Sequence, residues 1–511
     1  MNHETVEALK TSGAWPHPVA GLELIETHCS WVFLTGEFAY KIKKPVNFGF
    51  LDFSTLDKRL HCCREELRLN RRLASTLYLD VVPIAGSPPR VGGSGKPFEY
   101  AVKMRQFDMD CGFDRLAQRG ALSPRHMDET ASVLAAFHAT AERADEESGF
   151  GSPAEIVAQV LENFDQVESR IGEQAPGSLG GFERAAAWSR SVCETHVGVF
   201  ANRLAEGFVR ECHGDLHLRN IVWWQEKVIP FDCIEFNPSL RWIDVMSELA
   251  FLLMDLDDHG LPGLSQRLLN AYLELTGDFG GLEVLRIYQA YRAMVRAKVA
   301  SLRLVQRDTL DEGGVAELES YLRLAASYTR SPAPRLVIAH GLSGSGKTYV
   351  SQKLLEAAPL VRLRSDVERK RLFGLSPTET SGSGQDAGIY TQSASERTYE
   401  RLAQLSQEVL ESGWSVLVDA TFLRRRERDR FRALAQACGC PFAIMHCEAD
   451  MAVQRARVLE REGDASEANL EVLERQQQSE EPLADAERDV IINVDTTGAP
   501  RLDELVAFLG A

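Results

Sequence analysis

The chain has 511 residues, room for two to four domains at roughly 100–200 residues each. Apolar residues make up 44% and charged residues 26%, which excludes global disorder and supplies several cores. The net charge of −17 divides into 35 Lys and Arg against 46 Asp and Glu over residues 1–330, and 22 against 28 over residues 331–511, so neither part has the bulk positive charge of a general nucleic-acid or membrane-surface binder.

The opening residues, MNHETVEALKTSGAW, lack a basic-then-apolar signal pattern. The densest apolar run, Leu249 to Met254, is six residues, against about 18 for a membrane span. Ten cysteines are too few for a disulfide scaffold and suit free thiols in a reducing compartment, so a soluble cytoplasmic protein is expected.

Trp31 to Leu34 and Phe38 to Lys43 flank Thr35-Gly36-Glu37 as a hairpin. Leu56 to Leu77 reads as a helix, and Val81 to Ile84 and Tyr100 to Phe107 as further strands. From Ser123 to Phe208 the pattern is mostly helical. Val209 to Asn220 is a loop, followed by short strands at Ile221 to Trp224 and Val228 to Phe231, and Trp242 to Tyr328 is helical again. Arg330-Ser331-Pro332-Ala333-Pro334 stops that helix and leaves a short stiff linker. Leu336 to Ala339 is a buried strand and Tyr349 to Ala357 a helix. Ser376 to Gly388, rich in Ser, Gly and Thr, reads as a mobile loop. Cys438, Cys440, His446 and Cys447 do not have a standard zinc spacing, and buried strand thiols are expected there.

Cys212-His213-Gly214-Asp215-Leu216-His217-Leu218-Arg219-Asn220 and the later Ile229-Pro230-Phe231-Asp232 carry the chemistry of the first part. Phosphoryl transfer from ATP needs a carboxylate near the attacking hydroxyl and oxygen ligands for magnesium. Asp215 suits the first role, orienting the hydroxyl and accepting its proton. Asn220 and Asp232 suit the second, because magnesium prefers hard oxygens and few protein ligands. These residues resemble the HGDxHxxN pattern and strand-end Asp of the aminoglycoside phosphotransferase branch of the protein-kinase-like superfamily, over about residues 20–330. The resemblance implies an α+β two-lobed kinase-like domain, with a small lobe over about 1–107, a helical lobe over about 108–330 and ATP in the cleft.

It also implies a strand lysine for the α/β-phosphates and a glutamate partner on the next helix. Phe38-Ala39-Tyr40-Lys41 aligns with a Val-Ala-Ile-Lys pattern and points to Lys41, with Lys43 on the same face as the alternative. Glu66 shares a helical stripe with Leu69, Asn70 and Leu73 and is preferred to Glu65. No GxGxxG stands between the first two strands, which leaves Ser30 as the phosphate-contact candidate. Asp244 is expected to hold the catalytic loop, and His138 to be a core histidine.

Gly341-Leu342-Ser343-Gly344-Ser345-Gly346-Lys347-Thr348 fits GxxxxGK[ST] between a strand and a helix, the order of a phosphate-binding loop. The N–H groups of Gly341, Ser343, Gly344, Ser345 and Gly346 and the helix N-terminus suit phosphate, Lys347 the β/γ-phosphates, and Thr348 magnesium. Asp419, closing the strand Ser415 to Val418, has the place of a Walker B carboxylate beside magnesium. Leu363-Arg364-Ser365-Asp366-Val367-Glu368-Arg369 offers Asp366 as a base for an acceptor hydroxyl and Arg369 for acceptor or donor phosphate. Ser365 or Asp366 as a plain helix cap is the alternative. Arg455, Arg457 and Arg461 are spaced to close as a lid over phosphates, or to lace a surface helix.

This part resembles the P-loop kinases of the zeta-toxin, gluconate-kinase and polynucleotide-kinase group over about residues 334–511, which implies an α/β doubly wound P-loop NTPase domain. The whole layout is similar to bacterial fusions labelled bifunctional aminoglycoside phosphotransferase/ATP-binding proteins. The expectation is a domain over 1–330, a linker over 331–335 and a domain over 336–511, with separate cores. Both modules then use ATP and Mg2+ to phosphorylate a hydroxyl on a small-molecule or nucleotide-like acceptor, with no membrane and no bulk nucleic acid as partner. The rival reading makes one module a nucleotide-binding sensor that gates the other.

Overall fold

A computed structural model describes residues 3–510 except 50, 146, 175–178, 307–311, 331, 378, 383–387, 461–465, 467 and 468. The chain divides into two compact units. The first gathers Met1–Leu122, Ala136–Glu162 and Val192–Asp255. The second gathers Ser123–Ala135, Asn163–Ser191 and Leu256–Ala511. No helix among the described residues is long and apolar enough to cross a membrane.

The first unit is built on an antiparallel sheet of β1 (Glu23–Glu26), β2 (Ser30–Leu34), β3 (Phe38–Lys43), β4 (Tyr78–Ala85), β5 (Arg90–Val91) and β6 (Glu99–Arg105), in the order β1-β2-β3-β6-β4-β5. Period-2 alternation sends Tyr40 and Ile42 of β3 into an apolar core with Trp15, Phe33 and Ala101. Between β3 and β4 runs the Leu56–Ala74 helix, whose N-terminus is capped by the Thr55 side chain on the Lys58 N–H. It stops three residues before Leu77, because β4 already begins at Tyr78.

The same unit adds β7 (Val209–Glu211), the ribbon of β8 (Ile221–Trp224) and β9 (Lys227–Pro230), and β10 (Trp242–Asp244), which pairs with β7. Trp242 to Asp244 was expected to be helical. The ladder to β7 takes those residues instead, and Asp244 Oδ1 accepts the Met246 N–H at 2.8 Å as the next helix begins.

The second unit holds a parallel sheet of β11 (Leu336–His340), β12 (Val361–Arg364), β13 (Val416–Asp419), β14 (Phe442–Glu448) and β15 (Ile491–Asp495), in the order β12-β13-β11-β14-β15. Every residue of the central β11 is buried, as a strand covered on both faces requires. Val337, Leu417, Met445 and Cys447 pack with Val350 and Leu354 of the Lys347–Ala357 helix, so Cys447 is a buried strand thiol. The Pro262–Thr276, Leu282–Gln306 and Glu312–Tyr328 helices belong to the same unit, although the prolines at 332 and 334 separate them from the sheet in sequence. Trp414 Nε1 donates to Leu282 O at 3.2 Å, and Arg286 Nη2 donates to Gly413 O at 2.9 Å.

Behind the β13 end sits Arg428, 1% exposed. It is bidentate to Glu487, at 2.7 and 3.1 Å, and also donates to the carbonyls of Phe422 and Pro482. Removing one member leaves the other charge buried and alone. Arg428→Ala should therefore cost about 3–5 kcal/mol in urea unfolding, and Arg428→Met with Glu487→Leu should recover most of it. A single-variant loss below about 1 kcal/mol would show the pair to be dispensable.

Candidate active sites

Lys41 and Lys43 share the face of β3 opposite Tyr40, and both reach Glu66 on the Leu56–Ala74 helix. Lys41 Nζ lies 3.0 Å from Glu66 Oε1, and Lys43 Nζ donates to Oε2 at 2.7 Å. Lys41 also donates to Asp232 Oδ1 at 2.5 Å, and Lys43 to Glu235. The choice between the two lysines thus resolves into a shared glutamate. Glu65 turns away to Arg68, at 2.8 Å. Burial opposes charge on Glu66, but the two ammonium groups outweigh it and hold the carboxyl at about 2. Burial is likewise outweighed at Lys41, where Asp232, Glu66 and Glu235 hold the ammonium well above its usual range. At Glu235 burial prevails over Lys43 and pushes the carboxyl up.

Asp232 has φ +66°, a left-handed conformation that costs a non-glycine residue about 1–2 kcal/mol. Two tethers hold it there. Its N–H donates to Tyr78 Oη at 3.2 Å, and the Cys233 N–H donates to Asn70 Oδ1 at 3.0 Å. Asn70 Nδ2 donates to the Glu66 carbonyl at 2.8 Å, so one helix positions both the lysine partner and the strand-end Asp.

In the His213–Asn220 loop, the Asp215 side chain is 39% exposed. Asn220 Nδ2 donates to its Oδ2 at 3.1 Å and to its carbonyl at 2.9 Å, which leaves the Asn220 side-chain oxygen for another partner. Gly214, at φ +90°, admits no side chain: a Cβ would meet Leu240 O at 2.7 Å. Glu248 holds the loop by accepting the N–H groups of His213 and Gly214, each at 2.8 Å. Asp255 Oδ2 accepts the Leu218 N–H at 2.8 Å. The expectation that Asp244 does this is corrected, since its oxygens meet Arg203 at 2.5 and 2.8 Å. His138 is buried, with Nε2 3.3 Å from Glu248. Ser30 is 1% exposed and directs its hydroxyl to Cys29, so it is not open to a phosphate.

Burial works against charge on Glu248, but His138, His213 and the Gly214 amide outweigh it and hold the carboxyl at about 2. A carboxyl depressed on folding stabilises fully above its ordinary value near 4.5, and the contribution disappears as pH falls toward 2. Below about pH 5 the melting temperature should fall more steeply in the wild type than in Glu248→Gln. Parallel curves would remove Glu248 from the acid transition.

In the second unit, the carboxyl ends of the parallel strands form a cleft of about 1350 Å³. Ser343, Gly344, Gly346, Lys347, Thr348, Asp366, Arg369, Asp419 and Arg457 all line it. Gly341 and Ser345 are buried behind. The loop glycines have φ +140°, +80° and +86° at Gly341, Gly344 and Gly346, and a Cβ on Gly344 would meet Gln454 O at 2.5 Å. Lys347 Nζ donates to the carbonyls of Gly341 and Leu342 at 2.9 and 2.8 Å. Ser351 Oγ donates to Asp419 Oδ2 at 3.3 Å.

Asp366 is half-buried, and its side chain has no hydrogen bond or ion pair among the described residues. The helix N-cap is Arg364 with no side-chain capping bond, so the cap alternative for Ser365 or Asp366 finds no contact. Arg369 is 9% exposed. Its Nη1 donates to Ile389 O at 3.0 Å and Ser395 Oγ at 3.2 Å, its Nε has no acceptor, and no carboxylate pairs with it among the described residues. Arg457 clamps the loop, donating to Thr496 O at 2.6 Å and Gly344 O at 3.3 Å. Arg455 pairs with Glu474 on the surface, at 3.3 Å. Arg461, and positions 378 and 383–387 of the Ser/Gly-rich patch, lie outside the described residues. Gln476, which the sequence did not single out, accepts the Ser343 N–H at 2.8 Å.

These donor sets suit a magnesium nucleotide. The glycine cradle leaves no room for side chains, Ser345 Oγ and Arg369 Nε are buried without partners among the described residues, and the oxygens of Thr348, Asp419, Asn220 and Asp232 are of the hard kind that magnesium takes.

Residues 63–288 match the model of the phosphotransferase enzyme family, and residues 336–483 match that of an AAA domain. Uncharacterized proteins of Mycobacterium tuberculosis (strain ATCC 25618 / H37Rv) and Mycobacterium bovis (strain ATCC BAA-935 / AF2122/97) are 28% identical over 459 residues, 89% of this chain and 90% of theirs. A sugar kinase from Janibacter sp. HTCC2649 is similar at 22% identity, over 35% of this chain and 95% of that one, with TM-score 0.28. A choline/ethanolamine kinase family protein from Mesorhizobium loti is similar at 13% identity, over 63% of this chain and 98% of that one, with TM-score 0.36. The polypeptide thus joins a kinase-like phosphotransferase fold to a parallel-sheet P-loop NTPase-like fold.

Proposed function

We propose that the chain is a bifunctional phosphotransferase that uses Mg-ATP at two separate sites and phosphorylates a hydroxyl at each. One observation carries this reading. Each unit brings together, from elements distant in sequence, a lysine suited to phosphate, hard oxygen ligands and a partly exposed carboxylate. When bound, Mg-ATP supplies the γ-phosphoryl group and the charge that screens it.

At the first site Lys41, anchored by Glu66, grips phosphate, and Asn220 and Asp232 hold magnesium. Asp215 orients the acceptor hydroxyl and takes its proton as the new oxygen–phosphorus bond forms and ADP departs. At the second site the Gly341–Gly346 amides and Lys347 hold phosphate, Thr348 and Asp419 hold magnesium, and Asp366 is the base. A nine-tenths-buried guanidinium with no counter-ion among the described residues favours an anionic ligand, so Arg369 supports an acceptor that bears an anionic group beside its hydroxyl. The ten free cysteines favour a reducing, cytoplasmic setting.

Calorimetric titration of the full chain with Mg-ATP should give two sites, and Lys347→Ala should leave one. Loss of both without unfolding would mean a shared or tightly coupled site. Asp215→Asn and Asp366→Asn should each keep nucleotide binding and lower transfer only at their own site, by roughly 10²–10⁴-fold, because an amide cannot take the proton. Wild-type transfer in either folded variant would move the base elsewhere.

A further inference from the structure

We propose that the Pro262–Thr276 helix, which precedes the proline linker, is part of the P-loop site, with Asn270 and Glu274 as positioning residues for β12 and Asp419. This rests on the phosphotransferase reading of that site. β12 is the edge strand of the parallel sheet, so one row of its backbone groups lacks a neighbouring strand. Asn270, 1% exposed, fills that place with its side-chain amide. Its Nδ2 donates to Leu360 O at 2.9 Å, and its Oδ1 accepts the Arg362 N–H at 2.8 Å. The register of the strand ending at Arg364, immediately before Ser365-Asp366, is thereby set by a residue outside the sheet.

Glu274 lies four positions further along the same helix face. It accepts Arg362 Nε at 2.9 Å and Nη2 at 2.6 Å, and its other oxygen lies 3.7 Å from Arg364 Nη1. Arg371, on the helix carrying Asp366, donates to the Glu274 carbonyl. Arg362 Nη1 continues to Ser351 Oγ at 3.4 Å, and Ser351 Oγ is 3.3 Å from Asp419 Oδ2. Glu274 therefore occupies a buried arginine that would otherwise be one serine away from the magnesium-binding carboxylate. Without the Glu274 charge, Arg362 has Asp419 as the next available anion, in competition with the metal.

The test uses the full chain with Asp215→Asn silencing the first site, and Mg-ATP turnover with water as acceptor, counted as the part that Lys347→Ala removes. Glu274→Gln should lower kcat about tenfold and raise half-saturating Mg2+ at least about threefold, with KM for ATP within about twofold. Adding Arg362→Gln removes the competing cation and should return the Mg2+ requirement toward the parent. Asn270→Ala should lower kcat and leave the Mg2+ requirement unchanged. Parental kcat and Mg2+ dependence in folded Glu274→Gln would overturn the proposal. If Glu274→Gln does not fold, the Glu274→Gln/Arg362→Gln chain leaves no charge alone, and parental kcat in both it and Asn270→Ala would overturn the proposal equally. A parent with no Lys347-dependent turnover would instead overturn the phosphotransferase reading of this site, a result distinct from parental behaviour in the variants.

Discussion

Glu66 has no exposed side-chain surface, and the first site hangs from it. A buried carboxylate is tolerable only when opposite charge and hydrogen bonds meet it. Lys41 and Lys43 meet it from β3, and they reach from there to Asp232 and Glu235 beyond the β8–β9 ribbon. The strand lysine, the helix glutamate and the strand-end aspartate are thus fixed together, and none can leave without stranding a charge. Such networks add little net stability, since desolvation offsets the attraction, but they are expensive to break. What they fix is position, and phosphoryl transfer depends mostly on position and electrostatics.

The sequence made the chemistry legible wherever it follows a local rule. Alternation on β3 puts both lysines on one face, and the glycine spacing before Lys347 has few other uses. Asp215 and Asn220 lie five positions apart on one short loop, and Asp232 follows the β8–β9 ribbon that comes next, so local order marks all three. The residues that hold these groups could not be read. Glu248, Asp255, Glu274 and Gln476 are ordinary polar residues on helices, and nothing local marks which amide or guanidinium each will meet. Asp244 looked like the loop's anchor because it is near in sequence, yet Arg203 takes both of its oxygens. Trp242 to Asp244 looked helical because of its apolar neighbours, and strand pairing with β7 overrode that preference.

The proline-marked linker misled in a similar way. Pro332 and Pro334 do end a helix, but a chain break in secondary structure is not a break in packing. The helices before the linker share a compact unit with the P-loop sheet: Asn270 bonds the backbone of Leu360 and Arg362, Arg286 donates to Gly413 O just before β13, and the Leu282 carbonyl accepts the Trp414 indole N–H. A composition-based boundary locates stiffness. It says nothing about which buried polar groups find partners on the other side.

The two sites solve one physical problem in opposite ways. The P-loop site offers phosphate a ring of backbone N–H groups, and its glycines let the chain bend where no side chain fits. Arg457, Gln476 and Lys347 bond the loop itself, and a second polar network runs where the loop does not reach, along the β12 edge and the Asp419 end of β13. The first site has no GxGxxG between its first two strands, and β2 begins with a buried serine instead. In the proposed reading its phosphate contact is a side chain, Lys41, which has rotational freedom that a backbone amide lacks. Holding Lys41 still therefore requires a second lysine, two glutamates and an aspartate in left-handed backbone, tied to β4 and the Leu56–Ala74 helix.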